Sequence, residues 1–458
     1  MVAIVTDKMK KNILNQVIDD LNDVVTSGSY YYIGLGKSDQ WNTTETVPSP
    51  VNTLLEEKEA RNNLQAIKKV TDISLVVNRY GWSNGVVFNA YNPNVSHTAN
   101  GRYYVFTEQR RVYICLQSPK TTTGANIASV VDPDTIGTAT KAKKLADNYV
   151  WKYLYTISAV QANRYLTANY IPVDAIDSAG AAVTNIQTAQ SNVQDAARAG
   201  EIIGYQITQS GVGYSTTPTL TVVGDGSGAA PTAVINTAGA IVDVRHKDST
   251  DGDPAFGSGY TSAKIEISGG SPTTSATIKP IISVNGIGKD ARDDIRSTSV
   301  MFNAKPSGST DTDFITDQDF RQIVLIKNPK KYNDSDFTDL TGRALKILTL
   351  TDGGGEIGDV EVDDVIQDSA NGVKAFVDAV DTVNKKIFYH RNDNFNYKQW
   401  VIGRDVEDSG QTYTITDILS DSNGEFDPFT GEILYIENRA PVTRSSEQIE
   451  DIKLILQL

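Results

Sequence analysis

The sequence predicts a mainly β fold with some α: a multi-domain, sandwich-like β core carrying two inserted β modules. Three observations lead there. Most apolar runs are short, rich in aromatic and β-branched residues and bounded by Asn, Gly, Pro and Thr clusters. Helical periodicity is confined to a few segments. Two stretches, 204–285 and 343–425, shift to Gly-, Asp- and Asn-punctuated strand patterns, as if set into an older frame. At roughly 150 residues per domain the 458 residues make about three domains, enough chain for buried cores. The core is expected over 1–203, 286–342 and 426–458.

The elements follow in order. Residues 7–25 place Ile13, Leu14, Val17, Ile18, Leu21, Val24 and Val25 at helical spacing, an amphipathic helix with one face on a core. SGSYYYIGLGKSDQW opens with turn formers and then reads as a buried strand leaving through Gly36. Leu54–Val70 has acids early and lysines late, as the helix dipole favours, and reads as a second helix. From Ile73 to about Pro172 the runs ISLVV, RYYVF, RVYICL and YVWKYLYTI give strands and turns. NIQTAQSNVQDAARAG is a short helix ended by Gly200 or a linker. In the first inserted module GVGY at 211–214 returns 46 positions later as GSGY at 257–260. This internal repeat predicts two similar halves burying each other's apolar faces. RALKILTLTDGGGEIGDVEVDDVIQ and its continuation to about 425 read as a second β insertion.

Charge and composition exclude several functions. Lys and Arg total 42 against 56 Asp and Glu, a net charge of −14, so neither nucleic acid nor an anionic membrane is an expected partner. No run approaches the roughly 18 apolar residues of a membrane helix, so no membrane insertion is expected. MVAIVTDKMKKNIL lacks a secretory apolar run, and the single Cys115 permits no intramolecular disulfide; both fit a cytoplasm-like compartment. Cys115 lies in an apolar run and reads as a core thiol.

No catalytic, cofactor or metal site is assigned. His97, His246 and His390 are far apart in sequence, without HExxH or GxSxG, and read as solvated side chains in loop-like contexts. GLGKS at 34–38 has Tyr31 where a P-loop needs its first glycine, so it reads as a strand end. GIGKDA at 286–291 imitates GxGxxA without a βαβ setting and reads as a turn. Asp421, Asn423, Glu425, Asp427 and Glu432 have calcium-loop spacing, but Phe426 stands where glycine is needed. The acidic turn DSTDGD at 248–253 reads as solvated.

Four blocks carry a resemblance: YYIGLGKSDQWN (31–42), NYVWKYLYTIS (148–158), FRQIVLIKNP (320–329) and GEILYIENRAPVTRSSEQIEDIKLILQL (431–458). In their order they resemble the gene-eight baseplate wedge subunit family of T-even-type contractile-tailed bacteriophages. The resemblance implies a non-enzymatic virion protein of the tail baseplate, assembled in the host bacterial cytoplasm. It further implies a homodimer that contacts other baseplate wedge proteins. Trp41, Trp151 and Tyr153 then either pack the subunit's own β layers or touch a neighbouring chain. Glu437, Asn438, Arg439 and Pro441 are expected in a polar turn between two strands, as a corner held by Arg439 or as a surface read by a partner. An alternative is a host-surface carbohydrate-binding tail adhesin using Tyr214 and Tyr260. A glycan hydrolase would need paired carboxylates whose separation a sequence does not give.

Overall fold

The structure, a computed structural model, describes residues 4–22, 29–173, 185–308, 310–352, 357–368, 370–393, 395–419 and 425–458. Strand dominates and helix is minor, the mainly β class that the sequence predicts. The chain divides into two compact units. One comprises Met1–Leu14, Ser74–Met301 and Leu456–Leu458, the other Asn15–Ile73 and Phe302–Ile455.

The first helix runs Asp7–Asn22. Leu14 and Leu21 are buried, whereas Ile13 is exposed, so the apolar stripe is narrower than its spacing indicates. Val24 and Val25 lie outside the described residues.

In the second unit a five-stranded sheet runs in the order Thr341–Arg343, Leu64–Lys69, Tyr31–Gly36, Asp319–Lys327, Glu432–Thr443. Tyr31–Gly36 is buried throughout and antiparallel to both neighbours, as its unbroken apolar run requires. The expected helix Leu54–Val70 is corrected here. The helix covers only Leu54–Asn62, with Thr53 accepting the Glu56 N–H at its start, and Leu64–Lys69 is a strand. Pairing of Gly34 with Ile67 and of Leu35 with Ala66 buries Leu64, Ala66 and Ile67. That tertiary gain overrides the weak helical preference of LQAIKK.

The segment predicted as the second β insertion forms a closed antiparallel barrel. Its strands follow in the order Lys346–Asp352, Lys386–His390, Val373–Asp381, Val365–Asp368, Asp405–Asp408 and Gln411–Leu419. Closure leaves no free sheet edge. Leu348, Leu350, Ile366, Val377, Ile387, Tyr413 and Ile415 fill it, with Trp400 packed alongside.

In the first unit a four-stranded sheet orders Tyr104–Phe106, Arg111–Gln117, Val150–Thr156 and Lys143–Lys144. The segment that reads as helix or linker is a helix over Asn185–Asp195, packed on Val150–Thr156 through Val193. Beyond it the repeat unfolds as reciprocal pairs. Glu201–Gln209 pairs with Thr277–Ser283, Pro231–Ile235 with Ile241–His246, and Thr219–Gly224 with Ala263–Ser268. The two Gly-x-Gly-Tyr corners are used alike. The Tyr214 N–H donates to the Gly239 carbonyl (2.9 Å) and the Tyr260 N–H to the Gly200 carbonyl (3.2 Å). Both glycines have positive φ, 72° at Gly200 and 68° at Gly239. Each corner therefore docks on the glycine that opens the other half, which is how two halves too small to form a core alone share one.

Candidate functional site

In the second unit, three of the four sequence blocks that carry the resemblance converge. The strands Tyr31–Gly36, Asp319–Lys327 and Glu432–Thr443 are consecutive neighbours in one sheet, although each begins more than 100 residues from the next. Their polar side chains interlock. Arg321 donates through Nη1 to the Ser38 carbonyl, and through Nη2 to Glu45 (3.1 Å) and Asp319 (3.0 Å). Gln322 Nε2 donates to Asn438 Oδ1 (2.8 Å), and Trp41 Nε1 donates to the Arg439 carbonyl (2.9 Å).

The same turn, Lys37–Asp39, grips the barrel. His390, at the end of its strand, lies between two carboxylates: Nδ1 is 2.8 Å from Asp378 Oδ2 and Nε2 3.2 Å from Asp39 Oδ1. A register shift between Val377 and Ala379 makes Asp378 the extra residue of a β-bulge, which re-aims its side chain. Ser38 Oγ and Lys37 Nζ donate to Asp378 and Asp39 respectively, and Asn392 Nδ2 donates to Asp39 (3.1 Å). Burial, the largest influence on His390, disfavours its charge; Asp378 and Asp39 outweigh it and raise the pKa to about 9. Burial likewise opposes ionisation of Asp39, but His390 and Lys37 hold its pKa near 2. At neutral pH this relay is an imidazolium at His390, hydrogen-bonded on one side to the ionised Asp39 and on the other to Asp378.

That relay binds, and it lacks the arrangement of a nucleophilic site. Ser38 Oγ hydrogen-bonds Asp378 rather than the imidazole, and both imidazole nitrogens are engaged by carboxylates. An imidazolium held to about 9 is not a general base near neutrality.

The remaining sequence-predicted residues fall as follows. Trp151 and Tyr153 are fully buried: Trp151 stacks on Tyr149 (5.7 Å between centroids) and meets Phe88 edge-on, while Tyr153 meets Tyr113. Both pack their own unit. Trp41 is partly exposed and joins the network through Arg439. The expected turn at Glu437, Asn438, Arg439 and Pro441 is corrected: these residues lie inside the continuous edge strand Glu432–Thr443. The register slips between Phe320–Val442 and Gln322–Asn438, and this irregularity absorbs the polar run. Pro441 has no N–H for a ladder, and an irregular edge strand is where that is tolerated. Glu437 accepts from the Tyr435 hydroxyl (3.2 Å) and the Arg439 guanidinium lies over Phe320 (5.8 Å).

Sequence reasoning missed the relay, because His390 and His246 read as solvated and both are buried in strands. His246 is the opposite case from His390: burial with no carboxylate partner lowers its pKa to about 4 and leaves it neutral against Phe256. His97 opens the single turn His97–Asn100. Tyr214 and Tyr260 are buried corners, 3% and 4% exposed, so they pack the repeat and do not present their rings as the alternative carbohydrate-binding reading would need. GLGKS is a strand end whose Lys37 pairs with Asp39. In GIGKDA the Gly288 N–H is taken by the buried Asp294 carboxylate (2.6 Å), ahead of a one-turn helix Ala291–Asp294. Asp248 and Asp253 of the acidic turn pair with Lys144 and Lys143. Asp421 and Asn423 lie outside the described residues. Among the described residues, no group of three or more His, Cys, Asp or Glu gathers as a metal site would need.

No model of a known protein family matches the chain, and a comparison with curated proteins gives no match either.

Proposed function

We propose that the chain is a structural subunit of the baseplate wedge of a contractile phage tail, assembled in the host bacterial cytoplasm. It acts through homodimer and wedge-neighbour contacts rather than through turnover of a substrate. The observation that carries this reading is the convergence of three resemblance blocks on one sheet, joined by the Arg321–Ser38, Gln322–Asn438 and Trp41–Arg439 hydrogen bonds. The relay adds a rigid joint between that sheet and the barrel, as a part that transmits load requires. Such a subunit permits rearrangement on infection by making contacts that differ in free energy between two assembly states.

Light scattering of the purified chain tests the dimer: about 99 kDa is expected, twice the 49.7 kDa of one copy, and a stable monomer at micromolar concentration counts against it. Mass spectrometry of purified particles tests the location. Its absence from intact tails would sink the proposal.

A further inference from the structure

In the second unit a cavity of about 170 Å³ lies beside the barrel, smaller than the roughly 300–1,000 Å³ of sites for drug-sized ligands. Arg61, Lys346, His390 and Arg391 line it together with Tyr389 and Phe429. Among the described residues no carboxylate lines it, in a chain whose net charge is −14. Three of the four cations have partners. Arg61 is held by Glu57 and by the carbonyls of Pro428, Thr430 and Gly431; His390 belongs to the relay; Lys346 has its own interactions.

Arg391 is different. It is 9% exposed, and its guanidinium is fixed against the rings of Trp400 (5.1 Å) and Tyr389 (5.6 Å). Nη1 donates to the Lys398 carbonyl (2.7 Å), while Nε and Nη2 have no partner and are shielded from water. Those two N–H groups share one edge of the guanidinium, the edge that takes two oxygens of a carboxylate or phosphate in parallel. A buried donor pair left unmade is costly, so an oxyanion that displaces the groups covering this edge recovers that cost while the rings of Trp400 and Tyr389 hold the guanidinium plane.

We propose that this cavity is a binding site for a small oxyanion, the phosphoryl or carboxylate group of a small ligand, taken side-on by Arg391 beside Lys346, the charges of Arg61 and His390 being offset by Glu57 and by Asp378 and Asp39. The site is independent of the baseplate reading: either can fail alone.

The test titrates the full-length chain with inorganic phosphate and, separately, with acetate, at ionic strength held constant with chloride. Calorimetry and the Arg391 Nε–H resonance are followed. Saturable binding with a shift of that resonance supports the site; phosphate alone indicates a phosphoryl ligand and acetate alone a carboxylate. Arg391→Lys keeps the charge and removes the paired edge, so it should weaken binding about tenfold or more while the circular dichroism spectrum is unchanged. If that variant does not fold, the wild-type resonance decides. Absence of saturable binding of both probes, or equal binding by a folded Arg391→Lys, overturns the proposal.

Discussion

Asp378 is fully buried and takes hydrogen bonds from Ser38 and His390, so its carboxylate is compensated only while both donors stay in place. Replacing one partner of a buried pair leaves the other charge stranded, so Asp378→Ala should cost about 3–5 kcal/mol, read from the urea midpoint. A cost under about 1 kcal/mol would mean the relay carries little load. The same group sets a pH dependence. His390 titrates at about 9 in the folded chain against 6.5 when free, so its stabilisation is complete below about 6.5 and is lost as pH rises through 9. The loss amounts to about 3 kcal/mol. Asp39, near 2 against 3.8, contributes fully above 3.8 and loses its share as pH falls through 2. From this relay, stability should therefore be greatest between pH 3.8 and 6.5 and fall on the alkaline side. Urea unfolding at about pH 5.5 and about pH 10 measures it, and Asp378→Ala should flatten the alkaline limb.

Among elements, the repeat shows how a short motif becomes a joint. A Cβ at Gly200 would lie 2.5 Å from Tyr260 N and 2.7 Å from its carbonyl O, and a Cβ at Gly239 would meet the same atoms of Tyr214 at the same distances. Both positions also have positive φ, where a side chain is strained. Gly200→Ala and Gly239→Ala should each destabilise the protein by about 2 kcal/mol or more, and by similar amounts, in thermal melts. A large loss at one and none at the other would show that the corners are not equivalent. Leu64–Lys69 carries the complementary lesson. Its charges and spacing extend the preceding helix on paper, and only the open side of Tyr31–Gly36 makes it a strand. The polar run 437–441 likewise reads as a turn because Asn, Arg and Pro favour one; an edge strand with an irregular register accommodates the same residues.

For the molecule as a whole, sheet-by-sheet patterning is legible in the sequence. The buried strand Tyr31–Gly36, the β-rich stretch after Ile73, the Gly-x-Gly-Tyr repeat and the second β insertion are all local signals of alternation, turn chemistry and self-similarity, and each is present in the fold. The candidate site was not legible. Nothing near His390 in sequence announces Asp39, 351 positions away, and nothing near Arg391 announces Arg61. The sequence is compatible with Trp151 and Tyr153 in a core or at a contact, and their full burial places them inside their own unit. The sequence by itself determined the β class, the repeat and the order of blocks that suggests a tail component, because periodicity, turn residues and block order are properties of neighbouring positions. Only the tertiary structure decided that Leu64–Lys69 is a strand, that His390 is charged while His246 is neutral, and that Arg391 keeps an unfilled edge. Burial and charge pairing depend on which distant residues the chain brings together, and strand pairing is where that choice is made.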